Sequence, residues 1–111
     1  MANTALIFGA SGLVGNALLN LLLESPEYDK VKAFVRKTLP IQHQKLEQIV
    51  IDFDNLDSYS AQIVGDHIYL CLGTTMAKAG SKDAFYKIDY TYTIDAARIA
   101  VKNGVKKLCL I

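Results

Sequence analysis

Apolar residues alternate between two rhythms along this chain. Short runs read as strands: "ALIFG", the alternating Val31, Ala33 and Val35 of "KVKAFVRK", "LEQIVIDF", "HIYLCLG" and the closing "VKKLCLI". Longer stretches with helical spacing lie between some of them. "LVGNALLNLLLES" predicts a helix directly after the first strand. Phe85, Ile88, Tyr92, Ala96 and Ile99 step by three and four, which predicts the longest helix over residues 82–103, with Gly104 as its stop. "LDSYSAQIVG" predicts a short helix or helical turn ending at Gly65, Pro40 closes the second strand, and "TTMAKAGS" is a loop of small residues.

Strands that alternate with helices pair in parallel through right-handed crossovers. The fold expected is therefore α/β, a Rossmann-type doubly wound parallel sheet in the order 3-2-1-4-5. At 111 residues the chain is a single domain, with 51% hydrophobic and 21% charged residues, an ordinary globular composition. Twelve Lys and Arg against eleven Asp and Glu leave a net charge of +1, too little for a phosphate-backbone footprint, so nucleic acid is excluded as a main partner. No apolar stretch approaches the ~20 residues that span a bilayer. "MANTALIFGASGLVGNALL" also lacks the basic start and unbroken apolar centre of a leader, which predicts a cytoplasmic protein without a membrane partner. Cys71 and Cys109 sit in apolar runs without metal-type spacing and read as buried free thiols in a reducing compartment.

"IFGASGLVG" places Gly9, Gly12 and Gly15 three apart, after a strand and at the opening of a helix. Gly9 lets the chain turn off the strand, Gly12 leaves room for a pyrophosphate against the backbone, and Gly15 lets the helix pack close to the sheet. With Ala10, Ser11, Leu13 and Val14 between them, they form a loop whose free N–H groups and helix dipole suit phosphate. The partner implied is a dinucleotide. The spacing is G-x-x-G-x-x-G rather than G-x-G-x-x-G, so the strand and helix around it carry the inference as much as the glycines do.

An NAD site usually ends its second strand with an acidic side chain that takes the ribose hydroxyls. This chain has Arg36 and Lys37 there. A guanidinium grips a 2′-phosphate that a carboxylate would repel, so NADP(H) is expected in preference to NAD(H). Asp29 precedes that strand and falls at the opposite edge. After the third strand, "DFDNLD" offers Asp52, with Phe53 beside it, to an adenine amino group, while Asp54 and Asp57 read as turn and helix-start residues. Gly73, Thr74 and Thr75 follow the fourth strand at the same carboxyl edge.

Together, "GASGLVG", "VRK", "VIDFDNLD", "CLGTT", "KAGS" and "GVKKLCLI" resemble the extended and atypical short-chain dehydrogenase/reductase family. The similarity is greatest to its branch of NAD(P)H-binding, Tat-interacting-protein-like oxidoreductases. The resemblance implies that Gly9, Gly12, Gly15, Arg36, Asp52, Leu72, Gly73 and Thr74 line the cofactor. It also places Asp89 where relatives carry Asn or Asp. Family members continue into a Ser-rich segment and a Tyr-x-x-x-Lys pair that serves as acid or base and holds the nicotinamide ribose.

The chain is expected to stop short of that pair, at Ile111. The one Tyr-x-x-x-Lys present, Tyr28 to Lys32, straddles the start of the second strand at the edge away from the cofactor. Tyr86, Tyr90 and Tyr92 read as packing residues of the long helix. The expectation is thus the cofactor-binding part of a longer reductase acting on an unidentified carbonyl or alcohol, without its own catalytic residues. Its uncovered fifth strand predicts a homodimer or swapped assembly. The alternatives are an NADP(H)-sensing regulator acting through a protein partner, and a phosphosugar- or nucleotide-binding domain unrelated to redox.

Overall fold

Ala5, Leu6, Ile7 and Phe8 are wholly buried. Leu6 and Phe8 join one apolar cluster, and Ala5 and Ile7 join another on the opposite side. A strand buried on both faces belongs in the middle of a sheet with layers above and below. The computed structural model, which describes residues 3–10, 12–71 and 91–110, has this arrangement. β1 (Asn3–Phe8) lies between β2 (Tyr28–Val35) and the strand His67–Leu70. Leu46–Val50 and Lys107–Leu110 form the two edges. Numbered along the chain, the sheet is β3-β2-β1-β4-β5 and every pairing is parallel.

Helix α1 (Leu13–Glu24) buries Gly15, Leu19, Leu22 and Leu23, a helical stripe that packs on Ala5, Ile7, Val31, Ala33 and Val35. A 3₁₀ segment (Phe53–Gln62) and helix α2 (Tyr92–Lys102) cover the other face over Leu6, Phe8, Phe34, Ile49, Ile68 and Leu70. Phe8 and Phe34 stack there with ring centroids 4.6 Å apart. Because the chain runs outward from β1 to β3 and then returns to β4 beside β1, a crevice opens at the carboxyl ends of β1 and β4.

Several boundaries differ from expectation. The predicted short helix is a 3₁₀ segment interrupted at Asn55 (φ −128°, ψ 39°), and it ends at Gln62 rather than Gly65. Asp52 starts it by accepting a bond from the Asp54 N–H at 3.0 Å. Asn103 ends it by donating to the carbonyls of Ser60 and Ile63 at 2.7 and 2.8 Å. Gly65 instead permits a close approach, since a Cβ there would lie 3.1 Å from the Leu6 side chain. Gly104 is the stop predicted for α2: at φ 80° its N–H donates to Val101, and Val105 N–H donates to Ala100. Residues 82–90 of the predicted long helix lie outside the described residues.

The expectation of two buried thiols is corrected at Cys109, which is exposed, while Cys71 is half-buried. All four residues of β5 are exposed, because no described element covers that edge of the sheet. Among the described residues, no helix is long and apolar enough to cross a membrane.

Candidate functional site

Strand register brings four chain segments to one edge. Phe8 pairs with Phe34 of β2 and with Leu70 of β4. Cys71 N–H donates to the Phe8 carbonyl, and Ile51 N–H to the Val35 carbonyl, at 2.9 and 2.8 Å. Gly9, Arg36, Asp52 and Cys71 therefore leave the carboxyl ends of their strands side by side.

Gly9 turns the chain with φ 88°, and its carbonyl accepts from the Gly12 N–H at 3.3 Å. A Cβ on Gly15 would sit 1.9 Å from that carbonyl oxygen, so glycine is required where α1 abuts the loop. Gly12 differs. Its backbone (φ −75°, ψ 170°) suits any residue, and a Cβ would meet its nearest neighbour at an ordinary 3.7 Å. The fold itself does not need glycine at 12. Gly12 makes no side-chain cap and the first turn of α1 carries no acidic residue, so its N–H groups are left for an anion. Leu13 and Val14 flank that end at 91% and 57% exposure, whereas Ala10 is buried against α1. Ser11 lies outside the described residues.

Arg36 and Lys37 are exposed, and neither forms an ion pair or side-chain hydrogen bond among the described residues. Asp29 is at the amino end of β2, as expected. Asp52 is exposed with Oδ1 engaged by the Asp54 N–H, which leaves Oδ2 as a further acceptor. Phe53 is only 6% exposed, its ring 6.2 Å from that of Phe8 and 5.4 Å from that of Tyr92, so its side chain belongs to the core. Asp54 accepts from the Tyr92 hydroxyl at 2.9 Å and Asp57 pairs with Arg98 at 3.2 Å; both tie the 3₁₀ segment to α2. Leu72, Gly73, Thr74, Thr75, Tyr86, Asp89 and Tyr90 lie outside the described residues.

The lone Tyr-x-x-x-Lys is not a catalytic pair. One extra residue in β2 shifts its register, pairing Asn3 with Tyr28 but Thr4 with Lys30. Tyr28 therefore packs on the α1 face, while Lys32 Nζ donates to the Gln62 carbonyl at 3.4 Å on the other. The Tyr28 hydroxyl lies 2.6 Å from both His67 Nδ1 and Tyr69 Oη. Burial first, then the Tyr69 hydrogen bond, push its phenol well above the usual tyrosine range. Burial, followed by the proximity of Cys109, also raises the Cys71 thiol, which suits a packed thiol rather than a nucleophile. Among the described residues no cluster of three metal-ligating side chains occurs.

One residue of the edge escapes a reading by pattern. Gln48 in β3 bonds three times to the backbone of the β2–β3 connection, at Leu39 and Ile41. Its only sequence signal is a polar side chain sharing a strand face with Leu46 and Val50.

Comparison with known proteins places these features in context. A family described as NAD(P)H-binding matches residues 9–111. Protein HTATIP2 of Rattus norvegicus is 35% identical over 109 residues, covering 95% of this chain and 45% of that protein. Protein FMP52, mitochondrial, of Eremothecium gossypii is 35% identical over 107 residues, covering 96% of this chain and 47% of that one. The chain thus spans under half the length of these relatives. A mutant uronate dehydrogenase from Agrobacterium tumefaciens complexed with NAD shares the fold: TM-score 0.80 at 16% identity, over 99% of this chain and 40% of that one.

Proposed function

The chain belongs to the NAD(P)H-binding family, and from that premise we propose that it holds NADP(H) in preference to NAD(H). It does so as the cofactor-binding part of an oxidoreductase that moves hydride to or from a carbonyl or alcohol. The observation that carries the preference is a pair of exposed, unpaired cations, Arg36 and Lys37, one strand away from an uncapped, acid-free helix start. When bound, the nicotinamide would donate the hydride to a carbonyl or accept it from an alcohol. The chain's own residues bind and orient it. First-turn N–H groups of α1 take the pyrophosphate in the space that Gly12 leaves open. Arg36 grips the 2′-phosphate through paired charge-assisted bonds, Lys37 adds a second positive charge, and Asp52 accepts from the adenine amino group.

Arg36→Asp tests this reading. The carboxylate replaces an attraction to the 2′-phosphate with a repulsion, so NADPH affinity should fall by about tenfold to a hundredfold while NADH affinity holds or rises. Unchanged NADPH affinity would overturn the assignment. The cytoplasmic location belongs to the same proposal, supported by the two free cysteines. Fractionation of the protein into mitochondria, the location in the name of its fungal relative, would contradict it.

A further inference from the structure

Neighbouring parallel strands are usually joined through a helix, which satisfies its own backbone. The crossover from β2 to β3, residues 36–45, has no helix or strand. Its polar backbone groups need other partners wherever they are shielded from water.

Gln48 provides three of them. It pairs with Ala33 in the sheet, on the face that α1 covers. Its Oε1 accepts from the Leu39 N–H at 2.7 Å, and its Nε2 donates to the carbonyls of Leu39 and Ile41, each at 3.1 Å. The side chains of Leu39 and Ile41 pack onto the same apolar cluster. On the other side of the arc, Val35 is locked in β2 and its carbonyl accepts from Ile51 at 2.8 Å. Arg36, Lys37 and Thr38 thus form a short arc pinned at both ends, and Gln48 is the pin on the far side.

We infer that Gln48 is a positioning residue for cofactor discrimination: it sets the arc that presents Arg36 and Lys37 to the 2′-phosphate. The inference rests on the reading of those two cations as the 2′-phosphate contacts. A cation on a loose arc must be ordered when it binds, whereas one on a pinned arc is already near its bound geometry. Only the 2′-phosphate reports on that arc, so Gln48 acts on NADPH and leaves NADH nearly untouched.

Two variants test it in the full chain, each titrated with NADPH, NADH, 2′,5′-ADP and 5′-AMP. Gln48→Met keeps the length and removes all three bonds. Gln48→Glu keeps the acceptor for Leu39 N–H and sets a carboxylate against two carbonyls. NADPH and 2′,5′-ADP should weaken about tenfold in both variants, with NADH and 5′-AMP changing less than about twofold. An equal loss for all four ligands, or retained NADPH preference, overturns the inference. If the wild-type chain itself shows no NADPH preference, the reading of Arg36 and Lys37 fails first and the inference falls with it, an outcome visible before any variant is made. Amide exchange in the wild-type chain needs no variant: protection is expected at the Leu39 N–H, and exchange there at the rate of a free loop amide contradicts the pinned arc.

Discussion

A methyl group at Gly15 would lie 1.9 Å from the Gly9 carbonyl oxygen, while one at Gly12 would have its nearest neighbour at 3.7 Å. The two positions therefore separate folding from binding. Gly15→Ala must push α1 off the loop and should cost about 1–3 kcal/mol in denaturant unfolding, with binding weakened as a consequence. Gly12→Ala should leave stability within about 0.5 kcal/mol and still weaken NADPH binding, because its methyl would enter the space proposed for phosphate. Equal destabilisation by both would contradict this division. At the amino edge, Tyr28→Phe removes a hydroxyl bonded to His67 and Tyr69. Leaving those partners short should cost about 1–3 kcal/mol. The raised Tyr28 phenol adds a pH signature. The folded chain keeps a proton that the unfolded chain releases near pH ~10. That contribution is complete below the unfolded value and is lost as pH rises through the folded one. Unfolding free energy should therefore fall more steeply above that pH in wild type than in Tyr28→Phe, and parallel curves would contradict the assignment. The turn at Gly9 and the close packing at Gly15 were legible in the sequence because they follow from backbone geometry, and Arg36 stands at the end of β2, where its strand pattern put it. Gln48 was not legible, because its partners Leu39 and Ile41 meet it only after the crossover folds back.

Element boundaries divide in the same way between local and distant causes. All five strands were legible: burial on one or both faces leaves an apolar signature in β1 to β4, and β5 carries a similar apolar run although its residues are exposed. The stop of α2 at Gly104 was equally local, a single φ of 80° closing the last turn. The end of the 3₁₀ segment was not, because Asn103, which accounts for it, lies forty positions beyond Ile63. Asn103→Ala should cost about 1–2 kcal/mol and speed amide exchange across residues 53–62 while leaving the amides of β1 protected. Unaltered exchange in that segment would show that the latch is immaterial. Cys109 illustrates the same lesson in reverse: an apolar run predicted burial, yet whether a strand is covered depends on layers contributed from elsewhere in the chain.

Across the whole molecule, one side stands apart from the packed core. Among the described residues β5 has no strand beyond it, and Leu108 and Leu110 are 45% and 67% exposed. Val101 and Ile94 of α2 are also exposed, at 68% and 48%. Open strand edges and exposed apolar groups favour pairing with another chain. Sedimentation of the chain should therefore move from monomer toward dimer as concentration rises, and a monomer at every concentration would contradict the expected association. The carboxyl edge of the sheet is where the proposed function lies. There Gly12, the open end of α1, Arg36, Lys37 and Asp52 come together through strand register. The direct test is an equilibrium titration of the wild-type chain with NADPH and NADH under identical salt, followed by cofactor fluorescence. Saturable binding of both is expected, with NADPH at least about tenfold tighter. Equal affinities, or tighter binding of NADH, would contradict it.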